Sequence, residues 1–485
     1  MSEPAKGPTL VRGLSLMGAI SVNAGNMVGT GIFLKSRIMT CNVGTPGMVM
    51  LVWVVGGLLT LAGALTYAEL ATMMPEAGGE YVILRRAWGK PLGFLYGWTI
   101  FFVARTGSQA ALAVGSAIFI NILSGGTLDH PFFVLHPLGH SVPFGVLQLI
   151  ALATIALVTA VNCLTVSASG RIASLLTSIK FGLLAAIGIG AFALAHGSWA
   201  HFSMSGAAGT CDAVSAGARG GMAGFGAAML GALWAYDGWN NLTPLSGEVR
   251  NPQRNIPLAF IGGMVIVAGL YLFVNIAYFF VMTPLQVASV SLSSSVATET
   301  VRHFLGASAT AFVAASLLCS SLGAMHSSML ANARVPFAMA RDGLFFRRLA
   351  TIAPGIRVPR NALIAQGCWA GVLALSGSYD VLTDYVIFAS WLLYGLTAAS
   401  VFVFRRKLPD APRPYRTWGY PVVPAIFLLV TAWLLLNTLR TGRDQALAGL
   451  ALMSLGLPFY LWWSRRPGGA QQRSGNEGQD ERMVP

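Results

Sequence analysis

Charge is what this chain of 485 residues has least of: 10% of its positions are charged, against the roughly 25% typical of a soluble domain. Acids are scarcer than bases, with 17 Asp and Glu beside 31 Lys and Arg. So little polarity cannot cover a water-exposed surface, which excludes an ordinary soluble enzyme or binding module. Ten-residue segments of alternating hydrophobicity are missing, which argues against a membrane barrel. The five cysteines, Cys41, Cys163, Cys211, Cys319 and Cys368, show no CxxC or other metal-ligand spacing. No HExxH or paired-carboxylate motif occurs, His326 is the sole histidine well inside an apolar run, and no Gly-Lys-Ser/Thr follows a glycine-rich stretch. An enzyme is therefore not expected, nor a cofactor or a metal. Residues 1 to 12 lack the apolar core and cleavage site of a signal peptide, so the first apolar run is expected to stay in the mature chain.

What the chain has in abundance is apolar length. Hydrophobic residues make up 55% of it, and runs of about 20 residues, enough to cross about 30 Å of hydrocarbon as helix, recur throughout. They lie near 13 to 40, 46 to 73, 92 to 122, 144 to 162, 168 to 196, 221 to 246, 257 to 283, 307 to 339, 361 to 377, 381 to 403, 421 to 438 and 445 to 463. These twelve spans predict an all-α integral membrane protein. No linker divides them, so 13 to 463 is expected to form one domain, with a cytoplasmic segment at 1 to 12 and a polar, disordered tail at 464 to 485.

The net charge of +14 would point to nucleic acid in a soluble protein, but its placement carries more information here. With the N-terminus inside, the bases left outside are Lys35, Arg37, Arg219, Arg302, Arg440 and Arg443, and Arg105, Lys180 and Arg334 fall within spans. The positive-inside rule then puts both termini in the cytoplasm. Clusters such as Arg85-Arg86-Lys90 and Arg405-Arg406-Lys407 are topology signals, and no nucleic-acid partner is expected. Cys41 and Cys211 both face outside, where they form either a disulfide or two unrelated thiols. His130, His136 and His140 lie in the external loop 123 to 143; without convergent carboxylates they are expected to be solvated rather than metal-bound.

The stretch Gly25-Asn26-Met27-Val28-Gly29-Thr30-Gly31-Ile32-Phe33 in the first span does not suit an unbroken helix. Glycine costs about 1 kcal/mol relative to alanine inside a helix, and irregular backbone at membrane depth is tolerated only where it lines a cavity or is buried in protein. Gly25 and Gly29 form a GxxxG, which could instead mark close helix packing. Asn26, Thr30 and Gly31 tip the reading toward a break. The sixth span is irregular in the same way, with Asp237, Gly238, Asn240 and Asn241, then Pro244. Two broken helices five spans apart are what a 5+5 inverted repeat predicts, with halves at about 13 to 196 and 221 to 403 and extra helices at about 421 to 463. Unwinding at 25 to 31 would offer amides at the positive end of the next half-helix to a carboxylate, and freed carbonyls to an ammonium. A zwitterion finds both partners at one break.

Asp237 is the sole acid of the sixth span, and an intramembrane acid is a functional candidate by default. It could neutralise a cationic substrate side chain, cap freed amides, or pair with a neighbouring base. Lys180 lies about a dozen residues into the fifth span, too deep for easy snorkelling. First-span carbonyls and the eighth-span hydroxyls Ser316, Ser320 and Ser321 could receive its ammonium; a proton carrier or a structural ion pair are the other possibilities. Glu69 and Arg105 are expected to be packing ties between helices. Trp234, Tyr236 and Trp239 could cover a substrate as a gate.

Together with GNMVGTGIF, four further segments carry a family likeness. They are the run from Tyr67 through Glu69-Leu70 to Pro75 and Gly78-Gly79-Glu80-Tyr81, then Trp234-Ala235-Tyr236-Asp237-Gly238-Trp239-Asn240. Glu248-Val249-Arg250-Asn251-Pro252-Gln253-Arg254-Asn255-Ile256-Pro257 and Arg413-Pro414-Tyr415-Arg416 complete the set. In this order they resemble the amino acid/polyamine/organocation (APC) superfamily of secondary transporters, most closely bacterial members of its L-type amino acid transporter branch, over about Leu14 to Pro424. The resemblance implies the LeuT-type fold, with helices 1 and 6 broken, alternating access, and movement of amino acids across the plasma (inner) membrane.

Carried over by position, the amides of Gly29, Thr30 and Gly31 look like the substrate-carboxylate site, and the carbonyls of Met27, Trp234 and Asp237 like the ammonium site. Trp234 resembles the gating aromatic, with Asn26, Tyr236 and Asp237 completing the side-chain pocket. Lys180 falls where the branch has a lysine replacing bound sodium, which implies sodium-independent transport, and the resemblance as a whole implies exchange of neutral L-amino acids. Asp237 resembles the acid of members that also accept cationic ones. Loop 123 to 143 lacks the cysteine through which animal members join a glycoprotein, so no covalent heavy subunit is expected. A proton-coupled symporter using Lys180 is the alternative. An amino acid sensor is disfavoured because it would usually append a long soluble domain.

Overall fold

The computed structural model describes residues 10–135, 142–206, 209–212, 214–291, 294–376, 379–441 and 443–465. His136, His140, the first nine residues and the tail after 465 lie outside the described residues.

The first half is built from α1 (Leu16–Met27), α2 (Gly31–Val43), α3 (Pro46–Met73), α4 (Glu80–Trp88), α5 (Lys90–Thr99), α6 (Arg105–Leu123), the strands β1 (Pro131–Leu135) and β2 (Val142–Gly145), α7 (Val146–Asn162) and α8 (Val166–Leu194). The second holds α9 (Gly221–Ala235), α10 (Pro252–Val281), α11 (Pro284–Ala288), α12 (Val296–Leu305), α13 (Ala309–Asn332), α14 (Arg334–Arg341), α15 (Arg360–Ser376) and α16 (Tyr379–Lys407). At the end come α17 (Val422–Thr441), α18 (Arg443–Ser454) and α19 (Gly456–Ser464).

Local chemistry sets many of these ends. Ser15 caps α1 by accepting from Gly18 N–H at 3.1 Å, and Thr45 caps α3 with Pro46 in the first helical position. The third apolar run is helical from Lys90 to Leu123 but contains a π-helical turn at Ile100–Ala104. There the Thr106 hydroxyl donates back to the Phe101 carbonyl at 2.5 Å. Such a turn re-aims the residues that follow it, and the next is Arg105.

Among the described residues, seven helices are long and apolar enough to cross a membrane. Twelve apolar runs do not become twelve long helices for a physical reason. The first and sixth are interrupted, the fourth and ninth give helices of 17 residues, and the last is divided at Leu455. The all-helical expectation also meets an exception, since the segment between α6 and α7 contains a two-stranded antiparallel hairpin pairing Phe133 with Phe144.

The interior is aromatic, with Trp53, Trp239, Tyr67, Tyr236, Tyr271 and Tyr394 fully buried. Leu58, Leu157, Leu175, Ile189 and Leu429 lie exposed on helix outer faces, an apolar exterior suited to lipid rather than water. Helix α1 packs on α8, α10 and α13, while α6 lies along α13, α15 and α16. On one side Cys41 and Cys211 are bridged, with Cα atoms 5.6 Å apart, tying the end of α2 to the α8–α9 loop. Elsewhere Glu69 accepts from Arg405 at 2.8 and 3.0 Å and from the Thr417 amide at 2.7 Å, the inter-helix tie expected of it.

Candidate functional site

The first break falls inside the glycine-rich stretch. The chain leaves helical geometry at Val28 (ψ 84°), the Gly29 amide turns back to the Met27 carbonyl at 2.8 Å, and α2 begins at Gly31. Close approach explains Gly31: a Cβ there would stand 2.7 Å from Ala235 Cβ and 2.8 Å from Ala235 Cα. The second break lies opposite. Helix α9 stops at Ala235, residues 236 to 242 form turns, and a short 3-10 helix runs over Thr243–Glu248, so the sixth span does not continue as α-helix to 246. Gly238 sits at φ +95°, and the Asn26 amide occupies the space that a Cβ on it would need.

Between the breaks lies a cavity. Met27, Gly29, Thr30 and Gly31 line it from the first break, Trp234, Ala235 and Asp237 from the second, with Asn26 beside them. Helix α6 closes another wall with Arg105, Ser108, Ala111 and Leu112, and α13 adds Ala324. Trp234 is half-buried at this wall. Two aromatics expected as gates stand elsewhere. The Tyr236 hydroxyl donates to the Trp53 carbonyl at 3.2 Å, deep against α3, and Trp239 is buried against Tyr67, Tyr394 and Phe427. Successive residues past the end of a helix point in different directions, so of the three only Trp234 lines the cavity.

Lys180 reaches the break from α8. Its ammonium donates to the carbonyls of Gly25 and Val28, the latter at 2.8 Å. Ser320 of α13 donates to the same Val28 carbonyl at 2.7 Å and to Gly29 at 3.3 Å. Unwinding freed these acceptors, and a lone ammonium with a hydroxyl satisfies them. The neighbouring serines do not join in: Ser316 donates to the Phe312 carbonyl of its own helix at 2.8 Å, and the buried Ser321 hydroxyl has no partner among the described residues. His326 is held between Asn162 and the Ser169 carbonyl, outside the cavity lining.

Two further groups escaped the sequence reading. The Tyr271 hydroxyl lies 2.9 Å from both the Met27 and the Ala235 carbonyls, the last helical residues before each break. One hydroxyl proton serves two acceptors, which leaves room for a second donor. Arg105, expected as a packing tie between helices, is one, and it also lines the cavity from the residue after the π-turn. It meets Asp237 Oδ2 at 3.0 Å, Asn240 Oδ1 at 3.0 Å and the Tyr394 hydroxyl at 2.5 Å, and Tyr394 donates to Asp237 Oδ1 at 2.9 Å. Asn240 in turn donates to Glu80 at 2.7 Å. A signal was present, because an arginine in mid-span needs an anion and the sixth span holds a single acid. What no spacing supplied was that the start of α6 faces the turn after α9.

Known proteins resemble this chain along most of its length. The family model for amino acid permeases matches residues 14–453. The b(0,+)-type amino acid transporter 1 of Homo sapiens is 30% identical over 465 residues, covering 95% of this chain and 89% of that protein. The large neutral amino acids transporter small subunit 2 of Oryctolagus cuniculus is 31% identical over 472 residues, covering 96% and 83%. An apolar helical body, two breaks facing one cavity and a match along nearly the whole chain converge: the protein belongs to the amino acid permease family of the APC superfamily.

Proposed function

We propose that the chain moves L-amino acids across the plasma membrane by alternating access, as a sodium-independent exchanger. The observation that carries this is the position of Lys180: its ammonium lies on the carbonyls freed by the first break, where a bound cation would otherwise be needed. A fixed positive charge there removes the role of a sodium ion. In this reading the substrate carboxylate meets the amides of Gly29, Thr30 and Gly31 at the start of α2, and its ammonium meets the carbonyls of Met27, Trp234 and Asp237. Trp234 closes over the substrate, with Asn26 and Asp237 in the side-chain pocket.

The fold that accompanies this function is the LeuT type, with twelve spans, both termini in the cytoplasm, and inverted repeats at about 13–196 and 221–403. Its support is the match of helix positions to the twelve apolar runs, together with the two breaks five spans apart. One relative is named as a small subunit. Loop 123 to 143 of this chain holds no cysteine, and we read the protein as working without a covalent heavy subunit.

Purified protein in liposomes preloaded with unlabelled amino acids, in sodium-free buffer, tests the reading. Uptake of labelled leucine that requires the internal load supports exchange. Uptake without the load, driven by an inward proton gradient, overturns it in favour of symport with Lys180 as proton carrier, a second reading favoured by the burial of that amine.

A further inference from the structure

Asp237 looks at first like a receptor for a cationic side chain: it is the one acid lining the cavity, and 27% of its side chain is exposed there. Both of its oxygens are nevertheless engaged. Oδ2 receives the Arg105 guanidinium at 3.0 Å and Oδ1 receives the Tyr394 hydroxyl at 2.9 Å. Arg105 is itself only 4% exposed and is fixed by Asn240 and Tyr394 on its other amino group.

We propose that Arg105 is a specificity-determining residue, a built-in cation that occupies the place of a substrate's positive side chain and restricts the site to neutral amino acids. The inference rests on the transport function proposed above and narrows its substrate class. A lysine or arginine substrate would have to displace a guanidinium held by three acceptors, or share the cavity with it. Like charges so placed repel strongly at low dielectric, and specificity is commonly set by such a repulsive element. An acidic side chain meets the opposite obstacle, because Asp237 already screens the guanidinium. The pair leaves this wall with no net charge, and only an uncharged side chain avoids both costs.

The experiment compares uptake of labelled leucine, arginine and glutamate into preloaded proteoliposomes for the wild type, Arg105→Met, Arg105→Lys and Asp237→Asn. The wild type is expected to favour leucine over arginine and over glutamate by about tenfold or more, a difference of about 1.4 kcal/mol. Arg105→Met uncovers the carboxylate and is expected to raise the arginine-to-leucine ratio by about tenfold, while Arg105→Lys retains the cation and keeps the ratio low. Asp237→Asn uncovers the guanidinium and raises the glutamate-to-leucine ratio, an independent readout should Arg105→Met fail to fold. Arginine carried by the wild type as well as leucine overturns the proposal. Ratios unchanged in both Arg105→Met and Asp237→Asn overturn it too. A wild type that carries no amino acid at all sinks the transport reading instead, so the two failures are distinguishable.

Discussion

The Lys180 ammonium donates to the Val28 carbonyl at 2.8 Å, joining the middle of α8 to the break between α1 and α2. With Ser320 on the same oxygen, it satisfies acceptors that an unbroken helix would have used internally.

Lys180→Ala removes that donor and leaves the Gly25 carbonyl without the partner Lys180 provides. An unsatisfied buried polar group costs about 1–3 kcal/mol, so exchange should fall by roughly tenfold or more. Uptake measured with and without sodium checks it. The fall is expected to be the same in both buffers, and rescue by sodium would show that the ion takes the amine's place.

Gly31→Ala forces a Cβ into Ala235, whose own Cβ and Cα stand 2.7 and 2.8 Å from that point. The two breaks have to separate, and binding groups displaced by about 1 Å lose much of their effect. The expected result is a KM for leucine raised by about tenfold with modest loss of folded protein. Adding Ala235→Gly should recover part of it; no recovery would show that the contact is not the cause.

Glu80 begins α4, outside the long apolar spans, and is fully buried. Burial pushes its carboxyl up to about 7 from the ordinary 4.5, with the Asn240 hydrogen bond and Arg105 acting in the opposite direction. The folded protein therefore holds a proton that the unfolded chain releases between about 4.5 and 7. Stability from this group falls as pH rises through that window and is level above it. Melting temperature against pH in detergent should show the slope, and Glu80→Gln should flatten it; an unaltered slope assigns it to another group.

Arg334 and Glu248 form a bidentate pair at 2.7 and 3.0 Å with both side chains essentially inaccessible. Removing one partner strands the other charge, at a cost of about 3–5 kcal/mol. Glu248→Ala should markedly lower the melting temperature, whereas Glu248→Leu combined with Arg334→Met should restore most of it. A double variant no better than the single one would show that packing, not charge, sets the loss.

The membrane class, the positions of most helices and the place of the first break were legible in the sequence, because they depend on local quantities. Apolar length decides whether a segment can be a spanning helix, and three glycines close together decide where one fails. The depth of Lys180 was legible too, but carbonyl contact, proton carriage and an ion pair all stayed open for it, and only the structure puts its ammonium on the Gly25 and Val28 carbonyls. The partner of Asp237 was open by the same reasoning, as was the bridge between Cys41 and Cys211. Tertiary structure decided both, along with the aim of Trp234 into the cavity and of Tyr236 and Trp239 away from it, into the buried core. These outcomes turn on which helices face each other and on side-chain direction past a helix end, where the 3.6-residue period no longer applies. Composition made this a membrane protein with a broken helix; packing α6 beside the second break put an arginine against its one acid.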